Sequence, residues 1–285
     1  MHVHIRAMKK EDVETCGRIC YEAFKSISDR HNFPRDFPSP EVAVDLLSQL
    51  LSREDVYPVV AEVDGRVAGS NFLWECGVIA GVGPITVDPD VQDGAIGRRL
   101  MEEVMRRAEA RRSAGVRLVQ AAYHNRSLSL YTKLGFDTRE PLSILQGTAL
   151  GIEIHGHAVR PAREDDLDAC DKLCLRVHGH DRRQELLLAI KQETATVVEH
   201  EGRITGYATE VGFFGHAVAE SNEDLKALIG GAPGFPGAGF LLPTRNSDLM
   251  RWCLGKGLRV VMPMTLMSTG LYNEPRGMFL PSVIY

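Results

Sequence analysis

The chain has 285 residues, 44% of them hydrophobic and 25% charged, with a net charge of −5 and a pI near 6.1. That composition suits a globular protein long enough for two cores, and its slight acidity gives no electrostatic reason to expect nucleic acid. No apolar run approaches the roughly 18 residues of a membrane span, and the start, MHVHIRAMKKEDVE, lacks a signal-peptide core, so a cytoplasmic protein without a membrane partner is expected.

In chain order, a first helix carries Val13, Cys16, Ile19 and Cys20 as an apolar stripe, in which the two thiols read as small core residues. Six cysteines without a secretory signal do not imply disulfides. Ser28 to Pro38 is a loop of aromatics and charges. Val63-Asp64-Gly65-Arg66-Val67 reads as strand, two-residue turn and strand, and Phe72-Leu73-Trp74-Glu75-Cys76 as a further strand.

Residues 82–101, VGPITVDPDVQDGAIGRRLM, change character within one short stretch. Ile85, Thr86 and Val87 are β-formers, Asp88-Pro89-Asp90 is a turn, and Gln92-Asp93-Gly94-Ala95-Ile96-Gly97 leads into a helix. Ile96, Leu100, Val104 and Ala108 form the buried stripe of that helix, with Glu102/Arg106 and Glu103/Arg107 as i,i+4 pairs on its solvated side. A helix start has free backbone N–H groups and the positive end of the dipole, so this strand, loop and helix make a pocket suited to a phosphate or pyrophosphate. Neither GxxxxGK[ST] nor GxGxxG occurs, which sets aside the P-loop and the dinucleotide fingerprint. Arg117 to Tyr123 is another strand, followed by His124-Asn125-Arg126-Ser127-Leu128-Ser129-Leu130-Tyr131-Thr132-Lys133-Leu134-Gly135-Phe136.

Gln92-x-x-Ala95-x-Gly97 resembles the QxxGxG of motif A in the GNAT superfamily of N-acetyltransferases, and residues 124–136 resemble its motif B, NxxAxxLYxKxGF. The resemblance implies that Gln92, Asp93, Gly94, Ala95, Ile96, Gly97, Arg98 and Arg99 hold the pyrophosphate of acetyl-CoA. It places the backbone of Ile85, Thr86 and Val87 along the pantetheine arm, Asn125 beside the cofactor, and Tyr131 as the acid that protonates the leaving sulfur. Three positions depart from the family pattern. Ala95 replaces the first glycine, and a left-handed backbone there would cost roughly 1–2 kcal/mol. Asp93 adds a carboxylate that Arg98 and Arg99 offset, and the usual spacing puts His124 in the slot of Asn125. Glu75 is the first candidate for the general base, with Glu22, His31, the carboxylate of Tyr285 or a water chain as alternatives. The family also implies that residues 26–40, between the first two helices, face the acceptor.

The chain then begins again. Ile5 to Cys16 matches Val159 to Cys170 at an offset of 154, with Cys20 falling on Cys174, and Val63 to Gly69 matches His200 to Gly206 at an offset of 137. Asn125 to Tyr131 is echoed by Asn246 to Trp252. Gly69 to Asn125 is 56 residues but Gly206 to Asn246 is 40, and the missing 16 fall where motif A belongs, replaced by Asn222 to Ile229 and the loop GGAPGFPGAG. His178-Gly179-His180-Asp181 lacks further metal ligands at recognisable spacing, so no metal is expected. Pro263-Met264-Thr265-Leu266-Met267-Ser268 and Tyr272 form an apolar tail that lines a cavity or belongs to the core. The expected fold is α/β (α+β): two GNAT-like domains, residues 1–150 and 151–285, each a mixed, mostly antiparallel sheet flanked by helices. The second domain is expected to be a degenerate copy that shapes the substrate site. The implied activity is direct transfer of acetyl from acetyl-CoA to a primary amine of a small molecule. The alternative is a non-catalytic acyl-CoA-binding or sensing protein. The sequence does not give the oligomeric state.

Overall fold

The computed structural model describes residues 2–91 and 95–284. By internal contacts the chain forms two units: one runs to Asp137 and includes Ser268–Leu271 and Ile284, the other comprises Thr138–Met267 and Tyr272–Val283. The first thus closes at Asp137, against the 150 read from the repeat, because the strand that comes next pairs inside the second unit.

In the first unit β1 (Val3–Ala7), β2 (Val56–Val63), β3 (Arg66–Trp74), β4 (Ile79–Val82) and β6 (Gly115–Ala121) lie in that order, with the short β5 (Thr86–Val87) beside β3. Alternation along the strands divides the side chains between two faces. Val60, Phe72 and Trp74 bury against Cys16 and Cys20 of α1 (Val13–His31) and Ala43, Leu47 and Leu50 of α2 (Pro40–Leu51). Gly17 lets these two helices touch, since a Cβ there would fall 2.6 Å from the Val44 Cα. Asn71 points the other way and donates to the Leu100 carbonyl (3.3 Å) of α3 (Ile96–Ala110), whose stripe Ile96, Leu100, Val104 and Ala108 is buried as its spacing predicts. Asn125–Lys133 forms α4.

In the second unit β7 (Asp137–Gln146) pairs antiparallel with β12 (Phe240–Pro243). A separate sheet runs β14 (Met278–Leu280), β11 (Ala217–Ala219), β10 (Arg203–Ala208), β9 (Thr196–His200), β8 (His157–Pro161), antiparallel throughout. The helices are α5 (Leu167–His178), α6 (Arg183–Lys191), α7 (Asn222–Gly231) and α8 (Ser247–Gly255). The apolar tail is β13 (Arg259–Gly270), in which Met262, Met264, Leu266 and Met267 are buried. Among the described residues no helix is long and apolar enough to cross a membrane.

The repeat is visible as one hydrogen-bond network built twice. Arg6 joins Glu62 through Nε (2.8 Å) and Asp12 through Nη1 and Nη2 (2.7 and 2.8 Å). Arg160 joins Glu199 (2.8 Å) and Asp166 (2.7 and 2.8 Å) with the same atoms. Each aspartate also accepts the backbone N–H three residues before it, from Lys9 at 2.7 Å or Arg163 at 2.8 Å, so strand, turn and helix start are tied at one carboxylate. The guanidinium hydrogen bonds hold Asp12 and Asp166 below the usual carboxylate range. The thiols lie where their stripe predicts: burial pushes Cys16 and Cys170 up to about 12 and Cys174 up to about 11.

Removing either carboxylate strands a guanidinium and a backbone N–H, so Asp12→Ala and Asp166→Ala should each cost about 2–3 kcal/mol in urea denaturation. A lowered carboxylate pKa stabilises the fold above its unfolded value near 4 and loses that contribution as pH falls through the folded value. The deficit of both variants against wild type should therefore shrink below about pH 4.

Candidate active site

The site begins where a parallel strand pair stops. β4 and β6 are in register only from Ile79/Gly115 to Gly81/Arg117. Thr86 and Val87 then pair with Ser70 and Gly69 of β3 and, among the described residues, with no other strand. The chain is pulled toward β3 by three hydrogen bonds: Gly83 N–H to the Phe72 carbonyl (2.9 Å), Trp74 Nε1 to the Gly83 carbonyl (2.8 Å) and Asp88 N–H to the Ala68 carbonyl (2.9 Å). Gly69 makes the approach possible, because a Cβ there would lie 2.5 Å from the Thr86 oxygen. On its other edge β6 is fixed at its start, Leu271 N–H donating to the Ala114 carbonyl at 2.9 Å. A gap therefore opens between Ile85–Val87 and Leu118–Ala121, edged by backbone groups that need partners.

At one end of this gap α3 starts. Ala95 is its N-cap with φ 59° and ψ 12°, the left-handed conformation whose cost the sequence raises, and among the described residues no side chain caps the helix. Gln92, Asp93 and Gly94 lie outside the described residues. A Cβ on Gly97 would meet Leu130 Cδ2 at 3.5 Å and Val87 Cγ2 at 3.7 Å, ordinary contact distances. Packing thus does not demand a glycine; its absence of side chain leaves the amide uncovered where β5, α3 and α4 converge. Ile96 is buried in the core, Arg98 pairs with Glu102 (3.6 Å), and the exposed Arg99 borders a surface cavity of about 380 Å³ with His2, His4 and Arg106.

The other side of the gap is α4. Tyr131 is 5% exposed, and burial pushes its phenol up to about 12 against the opposing pull of Ser127 one turn earlier. Ser127 Oγ also lies 2.7 Å from Nδ1 of His124, the N-cap residue. Burial, with Arg126, His31 and Arg30 nearby, pushes His124 down to about 4, so it is neutral at physiological pH. The caps correct the third sequence echo. α4 and α8 are both nine residues long, capped by His124 and Asn246, and they end alike, Leu134 N–H meeting the Leu130 and Tyr131 carbonyls as Lys256 N–H meets those of Trp252 and Cys253. His124 therefore corresponds to Asn246 and Tyr131 to Cys253; matching Asn125 with Asn246 and Tyr131 with Trp252 slips by one residue, because residue identity and cap position part company here. Asn125 itself is exposed, with its carbonyl accepting from Ser129 Oγ (2.8 Å).

Glu75 is not brought to this group. It comes just after β3 with its carboxylate 8% exposed and bound by Arg107 (2.7 and 3.1 Å) and Arg111 (3.5 Å). Arg107 is eleven residues beyond Ile96 (107 − 96), about 16 Å along α3 from its first turn. Glu22 is exposed and pairs with Lys25 (3.2 Å), and Tyr285 lies outside the described residues. α1 continues to His31, which shortens the expected 26–40 loop to residues 32–39. Three residues do not stand out in the sequence: Ser127, Asp36, which accepts from Ser28 Oγ (3.1 Å), and Gln120 on β6. Gln120 is 6% exposed and neither amide atom has a hydrogen-bond partner among the described residues. Its signal is a polar side chain inside the apolar run of a strand.

The second unit builds the corresponding place differently. Only Glu220 and Ser221 separate β11 from α7, and Ser221 and Asp224 cap each other's backbone N–H groups (3.2 and 2.9 Å). Beside β11, where β6 stands beside β4, lies β14, paired from Ala217/Leu280 to Ala219/Met278. Helix start and strand edge are both occupied by the chain itself.

An opened parallel pair with a helix starting beside it belongs to a mixed α/β fold. Residues 22–136 match the model of the acetyltransferase (GNAT) family, which puts an acetyltransferase domain in that part of the chain. Over 101 residues it is 34% identical to "IAA acetyltransferase" of Azospirillum brasilense, covering 33% of this chain and 62% of that protein, so the match spans less than two thirds of the relative's length. Among solved structures, a putative acetyltransferase from Pyrococcus horikoshii superposes with a TM-score of 0.74 at 17% identity, covering 99% of this chain and 94% of the other. A GCN5-related N-acetyltransferase from Sphaerobacter thermophilus gives 0.63 at 14% identity over 95% and 96% of the two chains. A tandem GNAT protein from the clavulanic acid biosynthesis pathway gives 0.56 at 13% identity over 94% and 98%. At these identities the likeness is one of fold, and it is the two-copy GNAT fold that the repeat predicts.

Two substitutions test this geometry. His124→Asn restores a capping side chain of the kind Asn246 supplies and should add about 0.5–1 kcal/mol at pH 8. A histidine lowered to about 4 in the fold and near 6.5 when unfolded costs stability as pH falls between those values, so the gain should be larger at pH 5; equal gains would contradict a buried, neutral imidazole. Ala95→Gly removes the left-handed penalty but frees the unfolded chain, and should leave a net gain below about 1 kcal/mol, whereas Ala95→Val should lose stability in the same denaturation series.

Proposed function

We propose that the first unit binds acetyl-CoA across the start of α3 and the opened strands and transfers acetyl directly to a primary amine of a small molecule, and that the second unit does not bind the cofactor. The observation that carries this reading is the convergence of Val87, Gly97 and Leu130 at one end of a gap whose backbone edges lack strand partners. A diphosphate matches the uncapped amides and dipole of α3, aided by Arg98 and Arg99, and an amide-bearing arm matches the free edge of Ile85–Val87. Acetyl-CoA supplies the activated acyl group. The chain's own part is to orient it, to place a backbone N–H of the β5 region against the thioester carbonyl, and to deliver a proton from Tyr131 to the departing sulfur. Tyr131 keeps that proton at any physiological pH, since burial pushes it to about 12. The nitrogen must lose a proton before it attacks, and with Glu75 bound by two arginines the route is water. No cysteine serves as an acyl carrier: Cys16 and Cys20 are buried, and burial pushes both thiols up.

Calorimetric titration with acetyl-CoA should give one site per chain; two sites would remove the claim for the second unit, and none would remove the reading altogether. Tyr131→Phe should lower kcat at least tenfold, about 1.4 kcal/mol of barrier, with unchanged acetyl-CoA affinity and thermal stability. Unchanged turnover rejects the acid. Binding without release of free thiol on any amine of a broad panel would favour the acyl-CoA sensor.

A further inference from the structure

Residues 32–39 of the first unit hold a second set of groups that the acyl-transfer reading does not use. α1 ends at Asn32 in a left-handed conformation (φ 56°), and the chain turns back so that Phe33 stacks on Tyr123 at 4.2 Å and 4°. The His31 ring lies 5.3 Å from the same tyrosine, and Phe37 meets Phe24 edge-on at 5.6 Å. Among these rings stands Asp36. Its Oδ2 accepts from Ser28 Oγ at 3.1 Å, and Ser28 is 1% exposed. Ser28 is also the hydrogen-bonding neighbour of the Tyr123 phenol, on which the Asp36 charge acts.

Among the described residues this carboxylate has no cation. The adjacent Arg35 turns away to Asp29, with Nε and Nη2 at 2.9 and 3.1 Å, and forms no ion pair with Asp36. Burial accordingly pushes Asp36 up from the usual carboxylate range, against the hydrogen bonds it accepts from Ser28 and from a backbone N–H. A desolvated carboxylate with neutral donors alone is costly to keep charged unless something cationic docks on it. Asp12, Glu62 and Glu75, by contrast, are each tied to an arginine.

The position is also informative. Tyr123 lies two residues past the end of β6, and His124 is the N-cap residue of α4, so the group stands between the end of β6 and the start of α4. It is on the α1 side, because Ser28 belongs to the buried residues of α1, whereas the α3 start serves the opposite face.

We propose that Asp36, with Phe33 and Tyr123, is the seat for the ammonium group of the acceptor, so that the substrate is an alkyl amine entering as a cation with an apolar segment beside the charge. A carboxylate beside aromatic rings is the chemistry that holds such a cation: ion pairing at Asp36 and attraction to the ring faces. Asp36 thereby sets specificity for aliphatic ammonium over amines that are uncharged at neutral pH. This inference rests on the acyl-transfer reading for the chemical step after docking, but the seat itself is tested without turnover.

The full chain is titrated calorimetrically with 2-phenylethylammonium and with 2-phenylethanol, which has the same shape and no charge. Wild type should bind the ammonium at least tenfold more tightly; equal affinities overturn the proposal. Asp36→Asn should abolish the preference and leave acetyl-CoA affinity within twofold, and Asp36→Glu should keep most of it. Preference surviving in Asp36→Asn overturns the assignment. Should that variant fail to fold, Phe33→Leu on the same loop should cut ammonium affinity severalfold while the alcohol is less affected, and no change there also overturns it. Ammonium preference in a protein that ignores acetyl-CoA supports the seat and refutes the acyl-transfer reading; acetyl-CoA binding without ammonium preference does the reverse.

Discussion

The structure of the first unit depends on a parallel strand pair that is not allowed to continue. Parallel strands with matched lengths pair along their whole course, yet β4 and β6 share only three residue pairs before Thr86 and Val87 turn their hydrogen bonds to β3. The departure is enforced from the β3 side, by Gly69, by the Phe72 and Ala68 carbonyls and by the Trp74 indole, and β6 is held independently on its other edge. Neither strand can relax into the gap without breaking pairs already made. What results is a slot with backbone walls, and the start of α3 meets Leu130 of α4 and Val87 at one end of it.

The second unit shows which parts of this plan belong to the fold and which to the slot. The arginine network survives with its distances intact, at Arg6 and again at Arg160, because it fastens strand, turn and helix start in any copy. The slot does not survive. β14 takes the edge beside β11, Ser221 and Asp224 cap α7, and Cys253 occupies the place of Tyr131. The first two changes give the second copy internal hydrogen bonds at its strand edge and helix start.

Much of this is legible in the sequence because it rests on local spacing. The offsets of 154 and 137 locate Arg160, Asp166 and Glu199 to the residue, and the four-residue stripe of α3 is buried throughout. The errors arise where a distant partner decides. Glu75 reads as a free carboxylate on a strand, but Arg107 and Arg111 reach it from the far end of a helix more than thirty residues on (107 − 75 = 32). The slip at α8 arises because asparagine matches asparagine, whereas the cap position is set by backbone geometry that His124 also adopts. Asp36 is one charge among several in a polar loop, and its lack of a cation appears only when Arg35 is seen to face Asp29.

Burial gives the slot an electrical direction. The start of α3 carries the positive end of its dipole, a setting that favours negative charge. On α4 and at its N-cap, burial pushes the phenol of Tyr131 up to about 12 and the imidazole of His124 down to about 4. Both groups are thereby fixed in their uncharged forms, and Ser127, beside each of them, is neutral as well. On the proposed reading, a ligand with a charged diphosphate and a neutral acyl group would set the diphosphate at the helix start and the acyl group by the neutral side chains. The protonated state of Tyr131 comes from the same desolvation. On the proposed reading a departing thiolate would meet that protonated phenol and no competing charge, and because burial disfavours tyrosinate as well as thiolate, transfer of the proton to sulfur would be followed by reprotonation of the phenol from solvent.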